Sequence, residues 1–173
     1  MGGELFADWH PAKWFTWSAN ATISKNRIKD FVETVYEDEW TNPVEINHGD
    51  THIAFSPSFI FNNSFNFNYN NFDLSLSTQY VSKQYMTNAE YEDQVLDAYC
   101  VSNLHLGYNF KLPHTKSVRI GFSIYNLFDE EYENNGYAGG GYYVDGGEKV
   151  FYRYSGYAAQ AGTNFMGSVS FKF

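Results

Sequence analysis

Ile53-Ala54-Phe55-Ser56-Pro57-Ser58-Phe59-Ile60-Phe61-Asn62-Asn63-Ser64-Phe65-Asn66-Phe67-Asn68-Tyr69 decides the fold. Of its nine odd positions seven are apolar, all but Pro57 and Asn63. Among the even positions from His52 to Asn68 only Ala54 and Ile60 are. A period of two held this long marks a β-strand, because successive side chains point to opposite faces of a sheet. A helix would mix the Phe and Asn sets on every side.

The same alternation recurs outward from this stretch. It runs through 14–23 (Phe15, Trp17, Ala19, Ala21, Ile23), 72–80 (Phe72, Leu74, Leu76, Tyr80) and 104–110 (Leu104, Leu106, Tyr108, Phe110). It returns in 118–124 (Val118, Ile120, Phe122, Ile124) and in Phe165, Gly167, Val169, Phe171 and Phe173, while 3–10 fits less clearly. The expectation is all-β: an antiparallel meander of about seven long strands. The connections alternate in kind. Pro11-Ala12-Lys13, Asn70-Asn71 and 112–117 are short, whereas the segments near 37–50, 90–97 and 129–158 read as long loops. Tight turns at one end and long loops at the other are the layout of an outer-membrane barrel.

Composition agrees. In 173 residues there are 16 Phe and 15 Tyr, and aromatics make up 20%. Lys+Arg 11 against Asp+Glu 20 leaves −9, which argues against nucleic acid as a partner. The one cysteine, Cys100, excludes an intrachain disulfide and a thiolate metal cluster. No apolar run reaches the length of a membrane-spanning helix. Met1-Gly2-Gly3-Glu4 has neither the basic start nor the apolar core of a signal peptide. The acids are unevenly spread: fifteen of the 20 fall in 37–50, 90–97 and 129–148, spans that hold no Lys or Arg.

The polar half of each alternating run is Ser, Asn, Thr, Gln and Gly, where a sheet face open to water would carry Lys and Glu. That suits a wet or plugged barrel interior with the Phe-rich face turned to lipid. Aromatics bunch at strand ends (Trp14 and Trp17, Tyr69 and Phe72, Tyr80 and Tyr85), as interfacial girdles do. Extending the outward register of 15–23 brings Lys25, Arg27 and Lys29 to the long-loop end. There they are candidates to meet lipid phosphates, against the plainer reading of a solvated strand extension.

At Tyr125-Asn126-Leu127-Phe128-Asp129-Glu130-Glu131-Tyr132 the chain resembles the end of a TonB-dependent outer-membrane receptor, in which Asn-Leu-Phe-Asp and a Tyr precede a C-terminal aromatic strand. Gly3-Glu4-Leu5 with Pro11-Ala12-Lys13-Trp14, the stretch from Phe55 to Tyr85, and Gln160-Ala161-Gly162-Thr163-Asn164-Phe165 extend the resemblance over 1–173. It implies the C-terminal part of a 22-stranded barrel, with plug, TonB box and earlier strands outside this sequence. It also implies TonB-powered import of a scarce, bulky nutrient of the siderophore, cobalamin, haem or glycan class. The implied partners are outer-membrane lipid, the rest of the receptor, and TonB acting through the plug, with room for a surface lipoprotein at the loops. The implied location is the outer membrane, loops outward and C-terminus in the periplasm. Phe171 and Phe173 match the aromatic end that barrel assembly reads, although position 168 is Ser where the family signal has Gly. The alternative for these two is plain membrane anchoring.

No catalytic motif is present, and the sequence predicts neither an enzyme nor a resident metal or cofactor. Gly139-Gly140-Gly141 and Gly146-Gly147 read as a flexible loop tip. Trp40, Tyr91, Tyr142, Tyr143, Tyr152, Tyr154 and Tyr157 sit among glycines and acids instead of in a girdle, and are the candidates for ligand capture. Self-packing of a folded loop is the competing reading. Two other functions stay open on sequence alone: a complete eight-stranded barrel with a structural or adhesive role, and a soluble β-sandwich binding module.

Overall fold

The computed structural model describes residues 1–37 and 42–173, and their regular elements are all β-strands. The first four are β1 (Gly2–Ala12), β2 (Phe15–Ser24), β3 (Arg27–Glu37) and β4 (Asn42–His52). Then come β5 (Phe59–Tyr69), β6 (Phe72–Val81) and the two-residue β7 (Gln84–Tyr85) and β8 (Val95–Leu96). β9 (Tyr99–Phe110), β10 (Ser117–Tyr125), β11 (Glu133–Asp145), β12 (Glu148–Ala159) and β13 (Asn164–Lys172) follow.

Seven of these make one sheet, in the order β1-β2-β5-β6-β9-β10-β13, with every neighbouring pair antiparallel. They are the seven alternating runs of the sequence. The stretch that decides the fold is shorter than its pattern, however, because the strand begins at Phe59. Phe55 has a φ of 54°, which turns the chain. Pro57 has no N–H to give to a ladder. The three long connections are also not loops. β3–β4 and β11–β12 are paired hairpins, and 82–98 carries the small β7–β8 pair, so thirteen strands stand where about seven were expected. Glycines 139–141 lie inside β11, and Gly146 and Gly147, at φ 57° and 88°, form the two-residue turn of its hairpin.

Register sorts the large sheet into two chemistries. On one face Trp17, Phe65, Leu76, Leu104, Ile124 and Phe165 lie side by side across six strands. The next row reads Phe15, Phe67, Leu74, Leu106 and Phe122. On the other face Ser18, Ser64, Ser77 and Asn103 form one row and Asn20, Asn62 and Gln79 another. The carboxamides in that second row are linked: Asn62 Nδ2 donates to Asn20 Oδ1 (3.0 Å) and Gln79 Nε2 to Asn62 Oδ1 (2.9 Å). Nearer the short turns, Arg119 reaches across Gly107 to Asp73 with two bonds of 2.5 and 2.7 Å. A Cβ at position 107 would collide with both side chains, so only glycine leaves the ion pair room.

The apolar face has no core packed on it: Phe72, Tyr108, Ile120, Phe165 and Val169 are exposed. A contiguous greasy face of this extent is rare on soluble monomers. Buried apolar side chains gather instead at the long-hairpin end, where Val35, Met86, Ala89 and Leu96 are enclosed. At the sheet's two edges, β1 and β13 each have one side without a strand partner among the described residues.

Candidate binding site at the long-hairpin end

Segment 82–98 is the keystone that ties the two long hairpins together. Gln94, only 1% exposed, donates through Nε2 to the carbonyls of Gly139 (2.7 Å) and Tyr154 (3.0 Å), one on each strand of the β11–β12 hairpin. On the other side, Ala54 N donates to Asn88 Oδ1 (2.7 Å), and the backbone N–H and Nδ1 of His52 lie against the Glu90 carboxylate. Gly136 lets Met86 and Leu96 approach β11, since a Cβ there would run into the Met86 sulfur.

The tyrosines expected to capture ligand divide into two groups. Tyr91 belongs to an interior clasp. Its hydroxyl donates to Glu33 Oε2 (2.8 Å), which also meets His48 Nε2 (2.9 Å), and the His48 ring stands edge-on to it at 5.5 Å. The Arg153 guanidinium lies 4.7 Å from the centre of the Tyr91 ring while its Nε donates to Asp93 Oδ2 (2.8 Å). Burial, and then the Glu33 carboxylate, push the Tyr91 phenol well above its ordinary pKa. Tyr142 joins the clasp through Phe151 (5.0 Å), and Tyr157 OH lies 3.5 Å from the Asp93 carbonyl oxygen. For Tyr91 and Tyr142 self-packing describes the contacts better than display, whereas Tyr157 stays half-exposed beside its one contact.

Tyr143, Tyr152 and Tyr154 form the other group, a half-exposed strip. Tyr152 and Tyr154 lie flat on the bare backbone of Gly141 and Gly139 across the hairpin, and Tyr143 packs on Tyr152 at 5.9 Å. The glycine run is therefore a seat for aromatic rings. Between β3 and β11 a groove of about 500 Å³ is bounded by Glu33, Tyr36, Thr87, Gly139, Tyr152 and Tyr154. Trp40 lies outside the described residues.

Two acids in this end are held by cations of the same end: Lys149 of β12 meets Glu37 (2.7 Å) and Lys83 meets Glu92 (2.8 Å). The Lys83 hydrogen bond, followed by that from Tyr85, holds the exposed Glu92 carboxyl below its usual range. Lys25, Arg27 and Lys29 are all exposed at the same end, with Arg27 Nη2 donating to the Asp50 carbonyl (2.5 Å). Among the described residues no three His, Cys, Asp or Glu side chains converge as metal ligands would.

The Asn-Leu-Phe-Asp motif is a corner. Asn126 (φ 51°, 3% exposed) donates through Nδ2 to the carbonyls of Glu130 (2.9 Å) and Ala161 (3.2 Å) and accepts from Glu130 N (2.8 Å). Asp129 (φ 55°) accepts from Thr163 N (2.8 Å), which fastens the entry to β13. Phe171 and Phe173 stand exposed at the short-turn end, rings 6.5 Å apart, with the Phe173 carbonyl accepting from Lys116 Nζ (2.6 Å).

Sequence reasoning missed Gln94, Glu33, Phe151 and Arg153, and weighed His48 only as a metal or haem ligand. Only Arg153 left a signal, as a lone cation among tyrosines in an acid-rich half.

The family described as TonB dependent receptor-like, beta-barrel matches residues 1–127. No curated protein matches the sequence. Among solved structures, the ferric yersiniabactin uptake receptor FyuA of Yersinia pestis superposes with a TM-score of 0.58 at 18% identity, over 97% of this chain and 22% of that one. The ferric-catecholate import receptor Fiu of E. coli K12, in its closed form, gives 0.46 at 14% identity, over 97% and 27%. The chain thus spans about a quarter of the length of these receptors.

Proposed function

Because the chain belongs to the TonB-dependent receptor-like β-barrel family, we propose that it forms one stretch of wall and mouth in an outer-membrane receptor that imports a scarce, bulky nutrient with TonB-derived energy. The observation that carries this reading is the seven-stranded sheet with a continuous exposed apolar face and a neutral polar one, the division a membrane barrel needs. The nutrient belongs to the siderophore, cobalamin, haem or glycan class, and no enzymatic role is assigned. The plug and the remaining strands are its structural partners, and TonB acts through the plug.

In this reading the long-hairpin end faces outward and the short turns and Phe173 face the periplasm. Short periplasmic turns and longer extracellular connections favour that orientation. The half-exposed Tyr143, Tyr152, Tyr154 and Tyr157 contribute to ligand capture, while Tyr91 and Tyr142 hold the mouth in shape. A surface lipoprotein would dock on the same hairpins. Lys25, Arg27 and Lys29 contact lipid phosphates of the outer leaflet, and Phe171 with Phe173 serves barrel assembly.

Native outer membranes probed with an antibody to residues 134–157, heated and unheated, test the assignment. The expected band shifts on heating and is several times larger than 19.9 kDa. A heat-shifting band near 19.9 kDa would make the chain a self-contained barrel. A detergent-independent soluble species would end the membrane reading.

A further inference from the structure

On the polar face of the sheet, below the corner at Asn126, lies a cup of about 320 Å³. That is at the small end of ligand sites, which run to roughly 300–1,000 Å³. Besides Asn126 itself, five carboxamides line it: Gln79, Asn103, Asn134, Gln160 and Asn164. Three tyrosines, Tyr99, Tyr125 and Tyr132, complete the wall. None of the residues lining it is charged, in a protein of net charge −9.

The hydrogen bonds already made leave a definite remainder. Asn103 Oδ1 accepts from Asn126 N (3.0 Å), so its amino group is left to donate. Gln79 Nε2 gives one N–H to Asn62, Gln160 Nε2 one to the Ala158 carbonyl and Asn164 Nδ2 one to the Gly162 carbonyl, so each keeps a second N–H and its carbonyl oxygen. Asn134 makes no side-chain bond among the described residues, which leaves it free to do both. Both donors and acceptors therefore remain around an uncharged cup. An anion uses only the donors and a cation only the acceptors, whereas a hydroxyl donates and accepts at once. Beside them the rings of Tyr99 and Tyr132 are paired, 4.6 Å apart and tilted by 33°, and add aromatic surface to the wall. A sugar ring carries both features, hydroxyls at its rim and C–H bonds on its face.

We propose that this cup is a saccharide subsite, selective for neutral polyhydroxylated ligands over charged chelates. The proposal rests on the receptor reading above and narrows its ligand to the glycan class. A peptide segment also donates and accepts, but it gains less from a paired-ring wall.

The test uses the whole receptor that carries this chain, purified from outer membranes in detergent. Calorimetric titration with neutral malto-, xylo- and β-gluco-oligosaccharides is compared with titration by a ferric tricatecholate. One neutral saccharide is expected to bind, with an affinity loss of about tenfold in each of Asn134→Ala and Gln160→Ala, the equivalent of one good hydrogen bond. Tyr132→Ala should lose at least as much, and heat-modifiability checks that each variant is folded. Saccharide binding that is absent, or unchanged in all three variants, overturns the proposal. So does an Asn134→Cys receptor whose thiol is shielded from a water-soluble maleimide in the resting state, which would make the cup a contact for the plug. Capture of the TonB periplasmic domain by the same preparation separates the two levels. If TonB binds and no saccharide does, the subsite alone fails; if neither binds, the receptor reading fails with it.

Discussion

The wall and the crown of this molecule are held together by different means. In the seven-stranded wall, backbone ladders run in continuous register apart from one shift between Trp9 and Ala12, and side chains are sorted only by face. In the crown, three excursions from that sheet are joined by single side chains: Gln94 between backbone carbonyls, Tyr91 on Glu33, Arg153 on Asp93. A repeated rule builds the first region and a set of particular contacts builds the second. Damage should follow the same division, global in the wall and local in the crown.

The harshest way to break the comparison is a charge on the greasy face. Leu76→Arg, between Phe65 and Leu104, should cost roughly 2–4 kcal/mol near the bilayer midplane. Ser77→Arg, one residue on and facing the polar side, should cost far less. Urea unfolding of the receptor in lipid vesicles reads both, and equal losses would contradict the assignment of faces. Next comes Gln94→Leu, which strips the hydrogen bonds from the Gly139 and Tyr154 carbonyls at about 1–3 kcal/mol. Its signature is faster protease cleavage within 126–163 with unchanged heat-modifiability of the barrel. If the whole barrel melts instead, crown and wall are one cooperative unit.

A smaller effect sharpens the clasp. Tyr91→Phe removes one hydrogen bond to a carboxylate, about 1.5–3 kcal/mol at most and less at a partly buried site. Its pH dependence has a definite sign. A phenol held above its ordinary pKa keeps its full contribution below the unfolded value and loses it as pH climbs through the folded one. Protease sensitivity of the hairpins should therefore rise at strongly alkaline pH in the wild type, with a smaller rise in Tyr91→Phe. The weakest prediction concerns Lys25, Arg27 and Lys29. Changing all three to Gln should alter protein stability by less than about 1 kcal/mol, as for exposed charges generally, yet reduce lipopolysaccharide retention. Unchanged retention would leave them as solvated strand residues.

The wall was legible in sequence because its instruction is periodic. Each strand repeats the same alternation, so seven runs could be placed from residue types alone. The error at 53–58 shows the limit: Ile53 and Phe55 keep the period while Phe55 takes a positive φ that no alternation reveals. The crown was read as loop because its strands obey other rules. In β11 and β12 glycines lie opposite tyrosines, Gly139 under Tyr154 and Gly141 under Tyr152, and low hydrophobicity there reflects ring-on-backbone packing. Gln94 was invisible for a plainer reason. Its value lies in two carbonyls forty-five and sixty residues away, and only the folded chain brings them together.

The unpaired sides of β1 and β13 have a consequence that depends on counting. With seven strands, all antiparallel to their neighbours, the two edge strands run in the same direction. Curling the sheet round to meet itself would join them in a parallel seam. A second copy in the same membrane orientation meets the same obstacle, since its β1 runs alongside this β13 in the same sense. An inverted copy would restore antiparallel pairing, but only by carrying its hairpins to the opposite side of the bilayer. In an all-antiparallel wall, the strands flanking this stretch on either side therefore run opposite to both β1 and β13.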